Sequence, residues 1–467
     1  MTVPIFPPGF LWGASASAFQ TEGAADAEGK GPSGWDAFAA LPGRIKDGAD
    51  TARGTGFHAR YREDVALLAG LGADAFRFSV SWPRVVPGGS GALNPAGLGF
   101  YDRLVDELCA HGITPVPTLY HWDTPLPLDE AGGWLNRDTA YLFAEYADIV
   151  AERLADRVPL WITLNEPAEV TMLGYAIGEH APGRALLFDA LPAAHHQLLA
   201  HGLAVRALRA AGADSIGIAL SHSPVWTAGE SDEDRFGAEL YDSLTNWLFA
   251  DPLLTGRYPD DNLAALMPGP VEDDLSVISA PLDWYGVNYY HPVLVGAPGP
   301  AAPGTFAGFA IPDGLPFGIR EIQGYDTTDF GWPVVPEGLT EILGQLRDRF
   351  GDRLPPVYIT ENGCAYDEPA ADSRRIAYLE GHLRALRRAM DAGADVRGYF
   401  TWSLTDNIEW TEGAAQRFGL VHIDYETLRR TPKDSYAWYR DLIRAQHTAG
   451  RTALLDTSGP SDRQSAL

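Results

Sequence analysis

The sequence predicts an α/β protein built as a single (β/α)8 TIM barrel with elaborated loops after its strands. Three observations predict it. Short β-type runs alternate eight times with amphipathic helical stretches. No linker or long repeat divides the 467 residues. No glycine-rich G-x-G-x-x-G follows the first run, which removes the usual reason to expect an open dinucleotide-binding sheet. One catalytic domain is expected over 1–450, followed by a polar, small-residue tail over 451–467.

The β-type runs fall at 10–15, 74–81, 113–120, 160–165, 215–221, 283–290, 356–361 and 396–402. Between them lie helical patterns. Leu142, Tyr146, Ile149, Val150 and Leu154 recur at helical spacing, and Pro159 stands before the next strand. From Ser373 onward, Ile376, Leu379, Leu383, Leu386 and Met390 form one stripe that Gly393 ends. The Pro/Gly-rich stretch 292–318 reads as an enlarged loop after a strand.

Composition narrows the function. A net charge of −27 argues against nucleic acid as a partner, because a phosphate backbone repels such a surface. Cys109 and Cys364 form neither a disulfide framework nor a metal-type spacing. No basic segment followed by an apolar run opens the chain, and no stretch approaches the ~18 apolar residues of a membrane span. A cytoplasmic protein is expected, with no membrane partner and a small-molecule substrate. The sequence leaves the oligomeric state open.

In such a barrel, chemistry sits where strands end. The strand ends here carry polar residues that packing does not explain: Gln20, Arg77, His121 with Trp122, Asn165 with Glu166, Asn288 with Tyr290, Glu361 with Asn362, and Trp402. Alternation along a strand turns Arg77, Ser79 and Ser81 toward the barrel axis and Phe76, Phe78 and Val80 under the helices. The same parity puts Asn288 and Tyr290 together. It also predicts that Glu361 faces inward with Val357 and Ile359. Asn165 and Glu166 are adjacent, so both line the pocket only if strand four ends in a bulge, with which Pro167 is consistent.

Two inward glutamates meet only when the barrel closes. A carboxyl pair is what glycosidic cleavage requires: one protonated beside the leaving oxygen, one ionised beside the anomeric carbon. Arg77 is the natural partner for Glu361, and Tyr290 can donate to it; both favour its charged form. Glu166 has no cation near it in sequence, and the Glu361 charge pushes its pKa up. The asymmetry makes Glu361 the nucleophile and Glu166 the acid/base. A retaining pair is expected to stand about 5–5.5 Å apart.

At these residues the chain resembles glycoside hydrolase family 1, the β-glucosidase family, over almost its whole length. The motifs in order are FLWGASASAFQTEG with Gln20, TLYHW with His121 and Trp122, WITLNEP with Asn165 and Glu166, GVNYY with Asn288 and Tyr290, YITENG with Glu361, and WSLTDNIEW with RFGLVHIDY. The resemblance implies sugar contacts at Gln20, His121 and Trp122, a 2-hydroxyl contact at Asn165, and glycone contacts at Trp402, Glu409 and Trp410, with Phe418 beside them. It implies no cofactor and no metal. Glu409 stands where members acting on 6-phosphorylated sugars are expected to carry a small polar residue, so a phosphorylated glycone is disfavoured. The family often has an aromatic residue where this chain has Ala414.

Several other residues carry plainer readings. Trp332 is an aglycone contact or core. His180 is structural, His195 and His196 are packing or surface groups, the acidic run 272–274 is a solvated loop, and Cys364 is a small loop residue. Hydrolysis of terminal β-glucosyl residues is the leading function. A β-galactosidase, β-fucosidase or transglycosylating member is the alternative, and a silent sugar-binding barrel is disfavoured because both glutamates are present.

Overall fold

The computed structural model describes residues 3–299 and 314–457. Its centre is a closed parallel barrel of eight strands: β1 (Leu11–Ser15), β2 (Ala75–Ser79), β3 (Thr114–Tyr120), β4 (Leu160–Asn165), β5 (Ser215–Ser221), β7 (Tyr285–Asn288), β10 (Val357–Asn362) and β11 (Val396–Trp402). They close in the order β1-β11-β10-β7-β5-β4-β3-β2. Each expected run holds one barrel strand, except that β10 extends one residue beyond its run, to Asn362. Helices cover the outside, among them Phe57–Leu71, Pro95–Ala110, Asp138–Leu154, Leu191–Ala210, Pro336–Phe350 and Ser373–Asp391.

Two separate apolar layers hold the barrel. The larger lies between sheet and helices and includes Phe76, Phe78 and Val80. The smaller fills the interior with Ala75, Val116, Ile162, Ala219, Trp284 and Phe400. Large rings fit there because glycines face them. A Cβ on Gly13 would lie 2.4 Å from the Phe400 ring, and one on Gly217 would lie 2.5 Å from the Trp284 ring. Small and large residues thus interlock across the axis, as a packed barrel requires.

The strand parity of Arg77 is as expected, but that of Glu361 is not. Val357 and Ile359 belong to the outer layer, whereas Tyr358 packs on the interior cluster. Glu361 nonetheless reaches the site, because the register slips: Ile359 pairs with Val287, yet Glu361 pairs with Asn288. One extra residue in β10 reverses the alternation. A matching slip in β4, between Ile162 and Asn165, is the bulge expected before Pro167.

Three further expectations change. The stretch 292–318 is not only loop: β8 (Val293–Gly296) and β9 (Gly318–Arg320) pair antiparallel, and β8 pairs with β6 (Val225–Thr227) in a small accessory sheet. Residues 300–313 of that stretch lie outside the described ones. The ribbon of β12 (Val421–Asp424) and β13 (Arg429–Pro432) precedes a last helix, Asp434–Thr457, which runs past the expected tail boundary at 451. The acidic run 272–274 is the first turn of the helix Val271–Ile278, not a solvated loop.

Asp274 of that turn is buried and ties three elements. It accepts from Arg137 at 2.6 Å and from His195 Nε2 at 3.0 Å, and His195 Nδ1 meets the Tyr258 hydroxyl at 2.6 Å. His195 and its neighbour His196 are therefore buried linkers and not surface groups. Burial pushes the Asp274 carboxyl up, but the Arg137 and His195 bonds outweigh it and leave it below its ordinary value. A depressed carboxyl stabilises the fold above its unfolded pKa and loses that contribution as pH falls. Asp274→Asn should therefore cost about 2 kcal/mol at pH 7, with the deficit shrinking toward acid pH. Urea unfolding at two pH values measures it; an equal cost at both would remove the ion pair as the cause.

Candidate active site

The strand C-termini surround one cavity of about 410 Å³ that contains both Glu166 and Glu361 in its wall. Arg77 lies beneath it, 1% exposed. Its NH1 donates to Glu361 Oε1 at 2.5 Å and its NH2 to Asn165 Oδ1 at 2.5 Å, while Nε reaches Thr118 Oγ1 at 3.3 Å. The planar fork thus joins β2, β3, β4 and β10 in one layer. Tyr290 OH donates to the other oxygen of Glu361 at 2.7 Å. Glu361 meets one cation and one phenol.

Glu166 has a different neighbourhood. Asn288 Nδ2 donates to its Oε1 at 2.9 Å and Asn165 Nδ2 to its Oε2 at 3.2 Å. Neither donor is charged. Burial drives its pKa well above the ordinary carboxyl range, and the charges of Glu361 and Glu169 push the same way. Of two carboxyls facing one cavity, one is matched by a guanidinium and the other is built to hold its proton.

The amide of Asn165 fixes its neighbours. Its oxygen accepts from Arg77 and, at 2.9 Å, from Asn288, so its nitrogen must face Glu166 and His121. His121 Nε2 is 3.1 Å from that nitrogen and therefore accepts, leaving the proton on Nδ1. Burial and the Arg77 charge hold His121 well below its ordinary pKa, so it is neutral at pH 7. Thr360 Oγ1 donates to Asn288 Oδ1 at 2.6 Å and completes the network.

Gln20, Glu409 and the tryptophans form the far wall. Gln20 Nε2 donates to Glu409 Oε2 at 3.2 Å and Asn407 Oδ1 at 3.1 Å, and Ser17 Oγ donates to its oxygen at 2.6 Å. Burial pushes the Glu409 carboxyl up to about 8, with Glu361 and Glu412 adding to it. Trp122 stacks on Trp410 with centroids 4.2 Å apart, and its indole donates to Asn165 O at 3.0 Å. Trp402, Phe418 and Ala365 form a small cluster on which Tyr290, Phe330 and Trp332 pack. Trp332 lies 5.1 Å from the Tyr290 ring and lines the cavity.

Glu166, Trp122 and Trp410 share a backbone peculiarity. Their φ values are +46°, +77° and +49°, in the left-handed region that side chains other than glycine avoid. Each costs on the order of 1–3 kcal/mol, and such residues concentrate at functional sites. In Glu166 that twist, following the β4 bulge, swings its carboxyl to the same side as its neighbour Asn165.

A family model for glycosyl hydrolase family 1 matches residues 3–448. The chain belongs to glycosyl hydrolase family 1. It is 48% identical to thermostable beta-glucosidase B of Thermobispora bispora over 94% of this chain and 90% of that protein. It is 40% identical to a bifunctional beta-D-glucosidase/beta-D-fucosidase of Bifidobacterium breve over 95% of this chain and 99% of that one. The crystal structure of a psychrophilic beta-glucosidase from Micrococcus antarcticus superposes with a TM-score of 0.88 at 44% identity, covering 95% of this chain and 98% of that one. The protein is therefore an enzyme, a glycoside hydrolase acting on small-molecule glycosides.

All fourteen residues expected from the sequence lie in or directly under this family-1 cavity. The sequence reading missed several others. Glu169, Ser221, Tyr241, Phe330 and Glu412 line the cavity, and Asn407 orients Gln20. His180, expected to be structural, packs on Trp122 and Trp410 and also lines it. His180, Phe330 and Asn407 sit on loops, where no periodicity marks them, whereas Ser221 ends a strand and Glu169 stands three residues after Glu166, signals that the sequence does carry. Arg77→Lys should lower kcat roughly 100-fold, because an ammonium cannot reach Glu361 and Asn165 together. Steady-state rates beside an unchanged melting temperature test it; near-normal kcat would mean that the fork has no part in turnover.

Proposed function

We propose that this family-1 chain is a retaining β-glucosidase that removes terminal non-reducing β-D-glucosyl residues from cellobiose-like and aryl β-glucosides. The observation that carries the mechanism is the unequal setting of the two carboxyls. Glu361 attacks the anomeric carbon while Glu166 gives its proton to the leaving oxygen. As the glycosyl ester forms, Glu361 loses its negative charge and one reason for the raised pKa of Glu166 disappears. Glu166, already a carboxylate after giving up its proton, keeps that form and serves as the base for water. Arg77 and Tyr290 orient the nucleophile. Asn165 is aimed at the 2-hydroxyl, and Gln20, His121, Trp122, Trp402, Glu409 and Trp410 hold the glycone, with Asn288 positioning Glu166. Trp332 and Phe418 border the aglycone.

Two findings support glucose as the glycone. Gln20 and Glu409 form a hydrogen-bonded pair able to hold adjacent hydroxyls, and relatives at 39–48% identity carry β-glucosidase names. The Bifidobacterium breve relative named for glucoside and fucoside cleavage supports β-fucosides as secondary substrates. We place the enzyme in a reducing cytoplasm because Cys109 and Cys364 are both free thiols. The chain through its last helix, Asp434–Thr457, serves as one catalytic domain.

Glu361→Gly should abolish cleavage of p-nitrophenyl β-glucoside, and added azide should restore part of it with formation of an α-glucosyl azide. Undiminished activity in that variant removes Glu361 as nucleophile. Glu166→Gln should cut the rate on cellobiose at least 100-fold more than on an activated dinitrophenyl glucoside. It should also erase the alkaline limb of kcat/KM, which the raised pKa of Glu166 sets above the usual carboxyl range. Equal losses on both substrates would reassign the acid. Early NMR spectra of the product should contain the β-anomer.

A further inference from the structure

One carboxyl in the cavity serves the chemistry above only by raising the pKa of Glu166. Among the described residues six glutamates line it, Glu166, Glu169, Glu321, Glu361, Glu409 and Glu412, against a single guanidinium, Arg320. Five of the six are accounted for. Glu361 pairs with Arg77 and Glu412 with Lys46. Glu409 accepts from Gln20, Glu166 is the acid, and Glu321 stands exposed at the rim. Arg320 does not serve the sixth, because its guanidinium donates to the carbonyls of Ala297 and Ile319.

Glu169 is the sixth. It ends the single turn Pro167–Glu169 that starts from Glu166. Its hydrogen-bond partner is the Ser221 hydroxyl at the end of β5, and no cation among the described residues offsets its charge. That charge is felt by two neighbours, Glu166 and the Tyr241 phenol, whose pKa values it helps to raise. Ser221 and Tyr241 come from β5 and the segment after it. In the closed strand order, β5 lies opposite β1 and beyond β11, whose following loops carry Gln20 and Glu409. Glu169 follows by one turn the acid that protonates the leaving oxygen and stands across the barrel from Gln20 and Glu409, which puts it on the leaving-group side.

We propose that Glu169 selects the aglycone by charge, favouring β-glucosides whose leaving group carries a protonated amine and disfavouring those that carry a carboxylate. The inference rests on the glucosidase reading of the cavity. Glu169 is half-buried and bonded to a neutral hydroxyl, and that burial raises its pKa and disfavours its charged form. A cation brought beside it restores what burial removed, and the low local dielectric strengthens the attraction. The net charge of −27 also draws cations toward the molecule and repels anions from it.

The test uses three β-glucosides with nearly isosteric phenolic aglycones of similar acidity, 4-(2-aminoethyl)phenol, 4-(2-hydroxyethyl)phenol and 4-(carboxymethyl)phenol. Their kcat/KM values are read from phenol release at low salt. The wild-type enzyme should favour the ammonium over the hydroxyl compound roughly tenfold and rank the carboxylate last. Glu169→Gln should bring the ammonium-to-hydroxyl ratio close to one, Glu169→Asp should retain most of the preference, and raised NaCl should weaken it in the wild type. Because the readout is a ratio within each variant, a general loss of rate does not imitate the effect. A flat charge series in the wild type, or the same ratio in Glu169→Gln, overturns the proposal alone. Failure of the wild type to cleave even the hydroxyl compound overturns the glucosidase reading together with it.

Discussion

A buried guanidinium is the constraint from which the rest of the site follows. Arg77 has no solvent to stabilise it and must be answered by protein oxygens on every side. Glu361 supplies the charge, and Asn165, the Thr360 carbonyl and Thr118 supply the remaining acceptors. Those acceptors come from three other strands, so satisfying one cation fixes the relative heights of β2, β3, β4 and β10. Because Arg77 is matched to Glu361, it is not matched to Glu166, and only Glu166 is driven to hold its proton. Burial keeps His121 neutral, and the same cation adds to it. Its neutral ring accepts from the Asn165 nitrogen while the Asn165 oxygen accepts from Arg77, so the orientation of every polar group in the layer traces back to a single side chain.

The barrel and the site make conflicting demands on the strands. Regular alternation serves the two apolar layers, with Tyr358 inside and Val357 and Ile359 outside. The site needs Asn165 with Glu166, and Glu361 just above Thr360, all turned inward. Extra residues in β4 and β10 reconcile the two demands at the last positions of those strands, after the packing layers are complete. Placing the irregularities there leaves the interlocking of Phe400 with Gly13 and of Trp284 with Gly217 undisturbed. The left-handed φ of Glu166 is tolerated because the surrounding hydrogen bonds over-determine it.

Much of this was legible in the sequence, for identifiable reasons. Eight β-type runs stand out because buried parallel strands are dense in apolar residues, and the strand-end polar residues stand out against that background. Arg77, Asn288 and Tyr290 followed from parity alone, and the β4 bulge followed from two adjacent polar residues before a proline. The β10 bulge did not, because one inserted residue leaves no trace in composition; the inward direction of Glu361 was expected on a parity that the structure reverses. Asp274 was misread for a different reason. Three consecutive acids look solvated until tertiary packing brings Arg137 and His195 to one of them. The short strands β8 and β9 lay hidden in a Pro/Gly-rich stretch because their pairing partners are distant in sequence, and the last helix extends through small residues that local propensity does not forbid.

The same reasoning accounts for the excess of carboxyls around the cavity. An enzyme that relies on one proton-bearing glutamate near pH 7 needs negative neighbours to keep that proton in place, and burial together with Glu361 and Glu169 supplies the push. Each added carboxylate, however, must itself be desolvated, so each needs a partner or must hold a proton. Arg77, Lys46 and Gln20 answer three of them, and Glu409, with its carboxyl pushed up to about 8, is partly protonated before any sugar arrives. Two hydroxyls donating to Glu409 would reverse that tendency, so binding of the glycone and ionisation of Glu409 become one event. A site assembled this way is most fully protonated when empty and least so when filled, because the substrate supplies the donors that the protein withholds.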